Sequence, residues 1–129
     1  MDLKEDLQID IKEIPKETNN TIDLNINIDS KGIGIVNFHA KGFLEYIIIP
    51  DNIISTYNIL CVNSSIQQDI VCDIKETKGG LFCIRRPTYT QFGKYAESDY
   101  TKIYLNGFYD LKVTGGTPET QINIKMEVV

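Results

Sequence analysis

The chain has no tryptophan, one histidine, three cysteines and four prolines, and its only arginines are the adjacent Arg85 and Arg86. Each shortage excludes something. One histidine, His39, rules out a multi-histidine metal site, and any Ser-His-Asp or Cys-His pair would have to use it. No strand-turn-helix elbow lies near a serine or cysteine, so His39 reads as a structural or surface residue rather than a catalytic one. The 13 Lys and Arg are spread among 18 Asp and Glu, for a net charge of −5. Phosphate backbones require a basic face, so direct nucleic-acid binding is not expected. No apolar run reaches transmembrane length: Tyr46-Ile47-Ile48-Ile49 is stopped by Pro50. The first residues show no signal-peptide core, and we expect synthesis in the cytosol and no membrane partner.

Cys61, Cys72 and Cys83 are evenly spaced with ten residues between neighbours, each within a strand-like run. Zinc ligands usually come in close pairs on tight turns, which are missing here. Buried free thiols are the expectation. Carboxylates are numerous but scattered. Asp51, Asp69 and Asp73 do not form a calcium loop, and Gly32, Gly34, Gly79 and Gly80 lack the helix that a phosphate loop needs. No cofactor is implied.

What is present is alternation of period two. Residues 21–28 place Ile22, Leu24, Ile26 and Ile28 on one face and polar residues on the other; a helix would scatter them. Similar runs occupy 33–38, with a change of phase expected at Ile35-Val36, and 43–49, ended by Pro50. Others follow at 57–62, 70–75, 81–85, 102–105, 109–113 and 121–128. Gly, Asn and Pro separate them, with Asn106-Gly107 reading as a turn. At 129 residues the chain supports one core. The expected fold is all-β: a single antiparallel β-sandwich, immunoglobulin-like or jelly-roll-like, over 21–129, preceded by a short extended arm at 1–20.

Two segments read as contact surfaces. The arm carries Leu7, Ile9, Ile11 and Ile14, cut off from the main alternation by the polar patch 16–21, and can add as a strand to a neighbour's sheet edge. The stretch 87–104, irregular over 87–100, concentrates Tyr89, Phe92, Tyr95, Tyr100 and Tyr104, with Arg85 and Arg86 beside it. Tyrosine offers a large contact area with a polar handle, which suits recognition, and the arginines can pair with an acidic neighbour. A competing reading makes these rings a sugar platform in a carbohydrate-binding module. The lack of tryptophan and of an export signal counts against it. A hydrolase built on paired carboxylates is a weaker rival.

The run Asn106-Gly107-Phe108-Tyr109-Asp110-Leu111-Lys112-Val113-Thr114-Gly115-Gly116, followed by Thr120-Gln121-Ile122-Asn123-Ile124-Lys125-Met126, resembles the closing hairpin of small β-sandwich modules in structural proteins of tailed bacteriophages. That resemblance implies a non-enzymatic virion component: an auxiliary or decoration protein of the capsid, or a head-fibre or tail adaptor. Its partners would be other virion proteins, met in multiple copies, after synthesis in the bacterial host cytoplasm.

Overall fold

A computed structural model describes residues 20–89 and 95–129, with backbone alone at 88–89 and 95–99. Its elements are all strands: β1 (Asn20–Asn27), β2 (Gly34–Ile49), β3 (Tyr57–Asn63), β4 (Ile70–Thr77), β5 (Gly80–Phe82), β6 (Arg85–Tyr89), β7 (Tyr95–Lys102), β8 (Tyr104–Thr114) and β9 (Gln121–Val128). They form an antiparallel β-sandwich, as the alternation predicts. The strand order is β1-β9-β2-β8-β3-β4, with β5 added to β2 and β6-β7 pairing separately.

The sixteen-residue β2 joins the two layers. Its first part, Gly34 to Phe43, pairs with β8. Its second part pairs with β9 on one side and β5 on the other. One layer is therefore β1-β9-β2-β5 and the other β2-β8-β3-β4. The passage between them depends on two local devices. The register with β9 shifts between Leu44 and Tyr46, leaving Glu45 as the extra residue of a β-bulge. Leu44 and Ile47 then both face the core although three positions separate them. Just before the bulge, Gly42 has φ +132°, and a Cβ there would come within 2.7 Å of the Val129 carbonyl oxygen. Only glycine lets β2 approach the chain end so closely, where Phe43 and Val129 exchange two backbone hydrogen bonds of 2.8 Å.

The inward faces supply one continuous core. Leu24, Ile26, Leu44, Ile47, Ile124 and Met126 from one layer meet Ile59, Cys61, Leu105, Leu111 and Val113 from the other. Each fully buried aliphatic side chain contributes roughly 1.5–3 kcal/mol relative to exposure. The outer face of β1-β9 is polar and paired across the strands. Asn123 donates to Asn25 at 3.0 Å, Gln121 to Asn27 at 3.1 Å, and the Thr21 hydroxyl to Glu127 at 2.8 Å.

Several local expectations are corrected. Runs 33–38 and 43–49 belong to one strand, and the phase changes at Glu45 rather than at Ile35-Val36: Ile35 simply faces outward. Asn106-Gly107 is not a turn, since β8 runs straight through it with Gly107 at φ +140°. Run 81–85 divides into β5 and β6. The closing pair of strands is not a hairpin: β8 and β9 lie on either side of β2. Residues 115–120 therefore carry the chain from one layer to the other. A hairpin needs direct pairing after the turn, and here β2 claims both strands instead.

Candidate functional site

The stretch expected to be irregular is for the most part a two-stranded hairpin. Arg85 pairs with Lys102, Arg86 with Thr101, Pro87 with Tyr100 and Tyr89 with Tyr95. Pairing explains the β-formers at Thr88, Tyr89, Tyr95, Tyr100 and Thr101. Tyr100 and Tyr104 are about half exposed. The side chains of Tyr89 and Tyr95 fall outside the described residues, as do Phe92 and the arm residues Leu7, Ile9, Ile11 and Ile14.

The arginines tie the base of this hairpin to the sandwich. The Arg85 guanidinium donates to the carbonyls of Ile84 (2.9 Å), Glu45 (3.1 Å) and Leu44 (3.4 Å). The bulge is what frees the Glu45 carbonyl for this bond. Its carboxylate lies 2.6 Å from the Lys102 ammonium and 3.8 Å from Arg85. Arg86 reaches the other layer, donating to the Ile70 carbonyl at 2.8 Å and pairing with Asp69 at 3.4 Å. Both arginines thus have partners within the chain.

A second exposed surface lies on the outer face of β2 and β8. Their register sets His39 opposite Phe108, Lys41 opposite Asn106 and Phe43 opposite Tyr104. His39 and Phe108 meet edge to face with ring centroids 5.0 Å apart, and Phe43 and Tyr104 meet at a tilt, also at 5.0 Å. Phe43, Tyr104 and Phe108 keep about half their surface in water. Four residues of strand separate the two ring pairs, about 13 Å at the usual rise. Lys41 stands between them. Farther along the same face Asn37 donates to Asp110 (2.8 Å) and to Ser64 (2.9 Å), fixing the polar end of the surface. His39 is a surface residue in a ring pair, in keeping with the sequence reading.

The sequence argument missed Phe43 and missed Phe108 as a surface residue, because each sits in an apolar run that reads as core. The signal that could have found them is parity. Phe38, Ala40 and Leu44 are inward, so 39, 41 and 43 must point outward. Two thiols are placed as expected. Cys61 and Cys72 are buried and face each other across β3 and β4; Cys83 is a correction, being exposed between β5 and β6. Desolvation pushes the Cys72 thiol up to about 11 and that of Cys61 higher still. Asp69 and Asp73 pair with Arg86 and Lys75 respectively. Among the described residues no group of three or more His, Cys, Asp or Glu side chains is gathered as metal ligands would be. No protein-family model matches this chain, and no curated protein matches it.

Proposed function

We propose that this chain is a non-enzymatic assembly module, a virion structural protein of a tailed phage that docks on another particle protein through the outer β2-β8 face. The observation that carries the docking surface is the pair of half-exposed aromatic contacts, His39–Phe108 and Phe43–Tyr104, on rigid, fully paired strands. Interfaces draw most of their affinity from a few such rings, and rings already held in place lose little entropy on binding. Lys41 between them offers a charge-assisted bond to an acidic partner. The setting in a capsid or tail rests on the resemblance of the residues at 106–126 alone, since β8 and β9 do not pair as the hairpin of that resemblance. Within each pair the two rings are tilted, by 67° in His39–Phe108 and 60° in Phe43–Tyr104, so neither pair offers one flat face to a sugar.

The test is recovery with particles. Full-length chain expressed during phage assembly should band with particles in a density gradient. A Phe43→Ala/Phe108→Ala variant should remain at the top of the gradient while melting as a folded domain. Absence of the unmodified chain from the particle band would defeat the virion reading. Specific binding to one glycan, lost in the same variant, would replace it with the carbohydrate-binding alternative.

A further inference from the structure

Between the 50–56 loop and β9 lies a groove of about 610 Å³. Ile48, Ile53, Ile54 and Ile122 supply its apolar lining, with Asp51 on the loop side and Lys125 on the strand side. Ile53 and Ile54 are 92% and 80% exposed, the two most exposed large apolar side chains among the described residues. The loop that presents them is firmly braced. Asn52, itself buried, accepts hydrogen bonds from the amides of Ile54 and Ser55 at 3.2 Å each. Its own amide group donates to the Gly115 carbonyl at 3.1 Å, and the Ser55 hydroxyl donates to the same carbonyl at 3.0 Å. The Asn52 backbone N–H in turn donates to the Lys78 carbonyl at 3.0 Å. The two isoleucines therefore stand in water on a fixed backbone, and docking them requires little further ordering.

A projecting apolar knob beside an apolar hollow is a self-complementary surface. Under a two-fold rotation, the knob of each copy enters the hollow of the other. The charges obey the same symmetry, because Asp51 of each copy then meets Lys125 of its mate. Among the described residues Lys125 has one long ion-pair contact, 3.9 Å to Asp23, with both side chains about half exposed, so it is available to a second carboxylate. We propose that this groove is a homodimer interface in which a second copy of this chain is the occupant. It belongs to the β1-β9-β2-β5 layer and leaves the β2-β8 face open, so it stands independently of the docking surface proposed above.

Sedimentation velocity of the full chain over a concentration series should show a monomer–dimer equilibrium. Ile53→Ser/Ile54→Ser should raise the dimer dissociation constant at least about tenfold, as loss of a central apolar anchor does, with a melting temperature equal to that of the unmodified chain at concentrations where both are monomeric. Asp51→Lys and Lys125→Glu should each weaken the dimer, and the two combined in one chain should restore it to within about threefold. Thermal melts of all four variants verify the fold. A chain that stays monomeric at every concentration overturns the proposal, as does a dimer indifferent to the isoleucine substitutions. Failure of the charge swap to restore association overturns the two-fold pairing. Saturable glycan binding by a monomer, lost in the isoleucine variant, assigns the groove to a sugar instead. Particle binding through the β2-β8 face should survive in every one of these variants.

Discussion

Cys61 and Cys72 are directly opposite each other on neighbouring strands, and neither is in a disulfide. The thiolate is the reactive species, and burial raises both thiols well above their ordinary value of 9.0, so both should be inert at neutral pH. Cys83 is exposed. We expect a bulky disulfide reagent at pH 7.5 to modify one thiol per native chain rapidly, and all three once urea unfolds it. Absorbance of the released thiolate counts them, and a Cys83→Ser variant should lose the rapid phase alone. The burial of Cys61 was legible from its parity with Ile59. The exposure of Cys83 was not. Leu81, Cys83 and Arg85 alternate as one strand would, but β5 is held to β2 whereas β6 pairs with β7. Local pattern carries no mark of where a chain changes partner.

At the scale of elements, the bulge in β2 and the base of the β6-β7 hairpin act as a unit. Glu45 turns its carbonyl to Arg85 and its carboxylate to Lys102, so one extra residue both redirects the strand and fastens the hairpin. Arg85→Ala should cost about 1–2 kcal/mol, the range for charged hydrogen bonds reduced for partial exposure to solvent. Urea unfolding gives the magnitude. Amide exchange gives the place: residues of β7 should exchange faster while those of β1 and β9 stay protected. The sequence announced strands on both sides of residues 39–42 but not their continuity, since Lys41-Gly42 resembles a turn. Gly42 is instead demanded by the nearby chain end at Val128 and Val129, a constraint set by residues more than eighty positions away. The same non-locality hid the candidate docking face, which exists only because β8 returns to lie beside β2.

For the whole molecule, alternation was enough to specify an all-β sandwich, because each run must bury one face and the only partner available is another sheet. Strand order was beyond its reach, as β9 and β8 each lie far along the chain from the strands they join. The assembled core also sets how stability responds to pH. Asp29 accepts the amide hydrogens of Lys31 and Ile33, bonds that hold its carboxyl below its ordinary value of 3.8. Its contribution is present above that value and is lost as pH falls toward the folded one. The alkaline side is governed by groups shifted the other way. Burial raises the thiols of Cys61 and Cys72 above 9.0, and burial with the nearby Asp51 carboxylate raises the Tyr57 phenol above 10.0. In each case the folded chain keeps a proton that the unfolded chain releases. Their contribution is therefore complete below the unfolded value and declines as pH climbs from there toward the folded one. The urea midpoint should stay level from pH 6 to about 8.5, begin to fall near 9 as the thiols of the unfolded chain ionise, and fall more steeply past 10 when Tyr57 joins them. A Cys61→Ala/Cys72→Ala variant provides the decisive comparison. Its midpoint at neutral pH will be lower, because two buried sulfur atoms are gone, but it should hold level until about pH 10. An unchanged onset near 9 in that variant would assign the alkaline loss to other groups.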